Sequence, residues 1–269
     1  MSEEPELVDP RVFGRKVDFG RAAGDYARHR AGFPPRFFER LRDQLHLASG
    51  MRALDLGTGT GSIARGLALL GLDVAGIDPS DALLHEARAI DGQAGVSVDY
   101  VLGEAEALPF SDNSFDLVTA GQCWHWFDRA LAGPEIFRVL RPGGVLVICH
   151  FDWLPLSGNM VEATEDLIRA YSPDWNLGRG NGVYGFWLAE MSAMSLRDIE
   201  TASFDHDQLY THEGWRGRIR ASAGVKGSLD APAVERFDAD LAALLAQRFP
   251  EDPLHVPHRV WWAVARKPA

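Results

Sequence analysis

The chain's 269 residues are 46% hydrophobic, enough to bury a sizeable core as one embellished domain. Acidic residues outnumber basic ones, 38 against 27, for a formal net charge of -11, a field that repels phosphate backbones and anionic lipid; no nucleic acid and no membrane partner is expected. The opening "MSEEPELVDPR" lacks the basic and apolar regions of a signal peptide, and no apolar run approaches spanning length, so the expected location is cytoplasmic.

In chain order, short apolar runs alternate with helix-like segments. Strands are predicted at Met51 to Leu56, Asp73 to Ile77, Val96 to Leu102, Phe115 to Ala120 and Val145 to Cys149. Helices are predicted between them at Ile63 to Leu70, Ala82 to Ala89 and Arg129 to Leu140. Near-continuous apolarity in short strands is the mark of strands covered on both faces, and so of a doubly wound α/β domain. Ser80 or Asp81 is placed to cap the helix that follows it, and "LRPGG", Leu140 to Gly144, ends a helix and turns into a strand. Cys123 and Cys149 stand alone in apolar surroundings, as buried thiols do; no metal site is expected. After Phe151 a loop-rich insertion runs to about Met194. Strand-like stretches return at Asp198 to Tyr210 and Arg259 to Arg266, with helical pieces at His212 to Ala223 and Pro232 to Arg248 between them. Insertions of this kind are often lids, so Asp152 to Met194 and Thr211 to Arg248 are expected to cover a substrate.

The stretch "RALDLGTGTGSIARGLA" carries the chemistry. Gly57, Gly59 and Gly61 follow the first strand directly and let a ligand press against the backbone, with the free amides of the next helix beside it. A dinucleotide fingerprint would place a third glycine where Ser62 stands. Asp55, two residues before the turn, would repel a pyrophosphate and suit a ligand carrying an amine or sulfonium cation. Asp78, with Pro79 after it, ends the second strand about twenty positions on, where a carboxylate accepts from ribose hydroxyls. A helix cap is the other reading of Asp78.

"ALDLGTGTG", "GIDPSDALLHEAR", "GEAEALPFSDNSFDLVTAGQCWHWFD" and "EIFRVLRPGGVLVI" together resemble the class I S-adenosylmethionine-dependent methyltransferases, specifically the UbiE-like group known as methyltransferase type 11. "DYARHRAGFP" and "QCWHWFD" are similar to motifs of the trans-aconitate-methyltransferase-like members, with Ala31 and Phe33 standing where those have proline and tyrosine. The resemblance implies a Rossmann-like seven-stranded, mostly parallel sheet with an antiparallel last strand. It divides a single domain, 1–269, into an N-terminal helical cover at 1–48, a cofactor-binding core at 49–151, and lid insertions with the C-terminal strands at 152–269. It implies S-adenosylmethionine as cofactor, with S-adenosylhomocysteine as product. Asp55, Gly57, Thr58, Gly59 and Gly61 would hold the methionine end, Asp78 and Pro79 the ribose, and Glu104, Ala105 and Glu106 the adenine edge. Gln122 would turn its carbonyl to the methionine ammonium. Tyr26 and Arg30, one helical turn apart, would face the same pocket, the guanidinium toward the methionine carboxylate.

Methyl transfer is an in-line displacement, so positioning supplies much of the rate. A hydroxyl or ammonium acceptor also needs a base, and His125, just past the fourth strand, is the expected one. Hydrogen bonding to its loop is the alternative for this histidine. Trp126, His150, Trp153, Tyr184 and Trp187 are candidate walls for a small organic acceptor, and Asp152 pairs with His150 as a second polar group. A monomer or homodimer is expected. Two other functions fit the glycine turn: an NAD(P)-dependent oxidoreductase, and a non-catalytic protein that binds S-adenosylmethionine or S-adenosylhomocysteine.

Overall fold

The computed structural model describes residues 31–222, 224–225 and 228–269. Helix α1 (Pro35–Leu45) opens them, with Phe37, Leu41 and Leu45 at four-residue spacing on its buried face. There follow β1 (Arg52–Leu56), α2 (Ser62–Leu69), β2 (Asp73–Asp78), α3 (Asp81–Ala94), β3 (Asp99–Leu102) and β4 (Phe115–Gly121). A short 3-10 turn, Trp124–Trp126, leads to α4 (Arg129–Val139) and β5 (Leu140–Trp153). The remaining elements are α5 (Met160–Tyr171), α6 (Trp187–Ala193), β6 (Arg197–Tyr210), α7 (His212–Arg220), α8 (Ala231–Arg248) and β7 (Leu254–Arg266).

The strands form one seven-stranded sheet in the order β3-β2-β1-β4-β5-β7-β6. The first five pair in parallel, and β7 runs antiparallel between β5 and β6, the architecture that the resemblance implies. Two apolar layers cover it. On one face Ala53, Leu117, Val147 and Val264 pack under α1, α2 and α3; on the other Leu54, Val118, Ile148 and Ala263 pack under α4 and α6. Residues one apart in β1, β4, β5 and β7 thus go to opposite layers, as the two-residue period of a strand requires. Each fully buried Leu, Ile or Phe contributes about 1.5–3 kcal/mol of transfer free energy.

The third strand begins at Asp99, three residues later than the apolar run suggests, because α3 continues to Ala94 and is closed by Gly95 in the left-handed region. β5 and β7 are longer than expected, since pairing with each other carries both past the sheet's parallel half. "LRPGG" is already part of β5, which bulges against β4 between Phe115 and Leu117. The insertion holds two helices where the sequence suggested loops. A signal for α5 was present: Asn159 caps it by accepting from the Glu162 amide, and Glu162 reaches back to accept from the Gly158 amide.

The first insertion divides between two cores. α5, α7 and α8 share a third core of Ile168, Trp215, Phe237, Leu241 and Leu245 beside the ends of β6 and β7. Arg220 and Arg216 of α7 pair with Asp238 of α8, and Trp215 donates to Thr164 of α5. α6 instead lies on the sheet, burying Trp187 and Met191 in the layer of α4.

Candidate functional site

The C-terminal ends of β1, β2 and β4 meet at the glycine turn, where open α/β sheets bind ligands. Asp55, next to last in β1, is 1% exposed and in register with Thr119 of β4 on the same face. Thr119 and Thr58 each donate a hydroxyl hydrogen bond of 2.7 Å, one to each carboxylate oxygen. Burial drives the Asp55 pKa up, opposed by the two hydroxyls and the Ala64 amide of α2 and reinforced by the charge of Asp78, leaving it at about 6. The carboxylate therefore braces the turn from beneath, where the sequence suggested an open hand toward the ligand. Thr119 was missed; a lone hydroxyl inside "LVTAG", one strand over from an acidic strand end, was its only signal.

Gly57, Gly59 and Gly61 all have positive φ, 54°, 56° and 77°. At two of them the protein itself uses the missing side chain's space. A Cβ on Gly57 would stand 2.8 Å from Cys123 Cβ, and one on Gly61 would collide with the Tyr100 hydroxyl. The Thr58 amide donates to the Ile77 carbonyl (3.0 Å), lacing the turn to β2.

Asp78 is also buried, and its pKa is raised chiefly by that burial, opposed by two amides. One oxygen accepts from Gly59 (2.8 Å) and the other from Ser80 (2.9 Å). The cap of α3 is Ser80, which accepts from Leu83, so helix capping does not account for Asp78. Pro79 follows it in the turn to α3. The Gly103 amide donates to the Asp78 carbonyl (3.1 Å), which brings the loop bearing Glu104 and Ala105 beside the end of β2. Glu104 is exposed and Ala105 buried. Glu106 is set apart from them: its carboxylate accepts from the Asp128 amide (2.7 Å) and fastens this loop to the start of α4. Arg65, the basic residue of α2, is committed to Asp91 (2.7 Å) and to the Thr60 carbonyl (2.8 Å). Gln122 takes φ +58° after β4, its amide donating to the Cys149 carbonyl (2.8 Å) and its side chain to the Phe151 carbonyl. Tyr26 and Arg30 lie outside the described residues.

A second group gathers at the ends of β4 and β5. His150 is 3% exposed, with Nδ1 3.4 Å from Asp152 Oδ2. Its ring centroid lies 5.7 Å from His125, 4.2 Å from Tyr184 and 4.8 Å from Trp187. Tyr184 stacks on Trp187 at 4.3 Å and donates its hydroxyl to Asp152 Oδ2 (2.6 Å). Trp126, half-buried, lies against His125 at 4.8 Å. Burial pushes the Asp152 pKa up, but the charge and contact of His150, the Tyr184 hydroxyl and His125 more than offset it and hold the carboxyl at about 2.

Glu190 of α6, missed in the sequence, clamps this region: it accepts from the Trp124 indole (2.7 Å) and pairs with Arg129 (3.1 Å). Trp153 does not join the group. Three residues past His150 in a strand, it points to the opposite face, donates to Glu165 (2.8 Å) and packs on Trp215. Among the described residues no cluster of His, Cys, Asp and Glu could hold a metal ion, and no helix is long and apolar enough to cross a membrane.

Residues 54–148 match the methyltransferase domain family. An uncharacterized methyltransferase of Mycobacterium tuberculosis is 45% identical over 159 residues, 57% of this chain and 62% of that protein. The demethylmenaquinone methyltransferase of Renibacterium salmoninarum is 34% identical over 55% of this chain and 61% of its own. The chain thus spans under two thirds of the length of these relatives. A solved phosphoethanolamine N-methyltransferase of Haemonchus contortus, in complex with phosphomonomethylethanolamine and S-adenosylhomocysteine, has the same fold: TM-score 0.56, 21% identity, covering 99% of this chain and 62% of that one.

Proposed function

We propose that this chain, which carries a methyltransferase domain over residues 54–148, transfers a methyl group from S-adenosylmethionine to a small organic acceptor. The observation that carries the reading is the charge arrangement at the glycine turn. Asp55 and Asp78 are both buried at the turn, where the Asp78 charge disfavours that of Asp55, the loop of Glu104 is beside them, and Arg65 is tied up elsewhere. A pyrophosphate brought there would meet carboxylates, whereas a cationic nucleoside relieves their repulsion. This sets the oxidoreductase reading aside.

The residues present fit that cofactor. Asp78 retains lone pairs for the ribose hydroxyls beyond its two amide bonds. Glu104 and Ala105 stand where the adenine edge would follow, and Glu106 supports their loop. The backbone of Gly57 to Gly61 would carry the methionine end, above the Asp55 charge, with the Gln122 carbonyl at its ammonium; Tyr26 and Arg30 are retained as candidates for its carboxylate. When bound, the cofactor supplies an electrophilic methyl on sulfonium sulfur. The chain's own part is to fix the acceptor in line and exclude water, which the aromatic group around His125, Trp126, Tyr184 and Trp187 is suited to do. His125, half-buried at the edge of that group, orients the acceptor.

Calorimetric titration with S-adenosylhomocysteine and with NADH tests the assignment. Binding of the first without the second is expected, together with labelled methyl groups trapped on metabolites from a lysate. Tight NADH binding alone would overturn it, and cofactor binding with no labelled product across a broad panel would favour a non-catalytic binder.

A further inference from the structure

We propose that His150, held by Asp152, is the proton acceptor of the acceptor pocket, and that the nucleophile it serves is a hydroxyl group; this rests on the methyltransferase reading above. His150 is buried among rings, and neither ring nitrogen makes a hydrogen bond: Nδ1 faces Asp152 Oδ2 at 3.4 Å, while Nε2 has no partner at all. A buried, unsatisfied imidazole nitrogen is costly unless something visits it. The indole Nε1 of Trp187, on the ring 4.8 Å away, is buried and unpartnered as well. The groups facing His150 are Asp152 on its own strand, His125 from the 3-10 turn and Tyr184 ahead of α6, with the rings of Trp187 and, across the β5–β7 ladder, Trp261. Asp152 is anchored by the Tyr184 hydroxyl with Oδ2 facing Nδ1 at 3.4 Å, so it holds the ring proton on Nδ1 and leaves the Nε2 lone pair toward the acceptor.

A hydroxyl answers Nε2 and the indole together: it donates its proton to Nε2 while its oxygen accepts from the indole N–H. A carboxylate acceptor would bring no proton to Nε2. In the transfer, the hydroxyl oxygen forms the new bond to the methyl carbon, the carbon–sulfur bond breaks with its electron pair returning to sulfur, and the hydroxyl proton passes to Nε2. His150 touches the reacting atoms; Asp152 and Tyr184 are positioning residues. His125, half-buried with its ring 5.7 Å from that of His150, keeps the orienting role.

The test begins without any acceptor. Nitrogen-15 spectra of histidine-labelled protein, with His150 assigned through His150→Gln, should show the Nδ1–H tautomer in the unmodified chain and its loss in Asp152→Asn. An Nε2–H tautomer in the unmodified chain overturns the proposal. Labelled S-adenosylmethionine is then offered with phenols and aliphatic alcohols beside carboxylic acids and thiols. Methylated hydroxyl products are expected, and His150→Gln should lower kcat on the order of 10²–10⁴-fold while S-adenosylhomocysteine affinity stays unchanged. Labelling of acids or thiols alone, no hydroxyl product, or an undiminished rate in His150→Gln overturns it and leaves the methyltransferase reading standing. Failure of the unmodified protein to bind S-adenosylhomocysteine removes that reading and this proposal together. If His150→Gln fails to fold, the tautomer of the unmodified chain, assigned from Asp152→Asn, still decides.

Discussion

Replacing Asp55 by Asn should flatten part of the protein's stability-pH curve. Between its ordinary value of 3.8 and about 6 in the folded chain, Asp55 binds a proton more tightly when folded than when unfolded, because burial penalises its charge. A group whose folded pKa is raised contributes stability that is fully present below pH 3.8 and is lost as pH climbs through 6. At 1.36 kcal/mol per pKa unit, the loss is about 3 kcal/mol. The side chain is 1% exposed, so solvent screening does not reduce that figure appreciably. In Asp55→Asn the amide keeps the size of the carboxyl and can still accept from one threonine and donate to the other, but it does not titrate. Urea unfolding followed by tryptophan fluorescence at steps from pH 4 to 8, on ligand-free protein, gives the difference between the two chains. Because the series starts just above 3.8, that difference should fall by about 2 kcal/mol as pH rises from 4 to 7, then level off. Asp78 titrates in both and largely cancels. Parallel curves from pH 4 to 7 would show that the Asp55 charge is solvated and that the brace beneath the turn is misassigned.

Two further perturbations separate cofactor binding from the stability of the third core. Asp78→Ala should weaken S-adenosylhomocysteine binding by about 1–3 kcal/mol, the range for losing bonds to a charged acceptor, read by calorimetry; unchanged affinity would remove Asp78 from the site. Leu241→Ala empties a fully buried position among α5, α7 and α8, and should cost about 2–5 kcal/mol in urea unfolding with cofactor affinity unaltered. A matching loss of affinity would mean that the third core and the glycine turn are coupled.

The sequence by itself determined the alternation of strands and helices, the glycine turn, and the carboxylates at the ends of β1 and β2, because all of these are read from local period, turn chemistry and short spacing, while the loop of Glu104 and Ala105 came from the family resemblance of its motif. The same local signals missed what depends on pairing across the chain. Trp153 reads like Tyr184 and Trp187 in composition, but the register of β5 sends it to the other face, against Trp215. Asp55 and Thr119 are 64 residues apart, and only parallel pairing of β1 with β4 turns an apparently open carboxylate into a buried, doubly hydrogen-bonded one. Tyr184 meets Asp152 because α6 settles on the sheet, not on α5. Local propensity is a property of neighbours in the chain, whereas burial, charge and the direction of a side chain are set by which distant strand or helix lies against it.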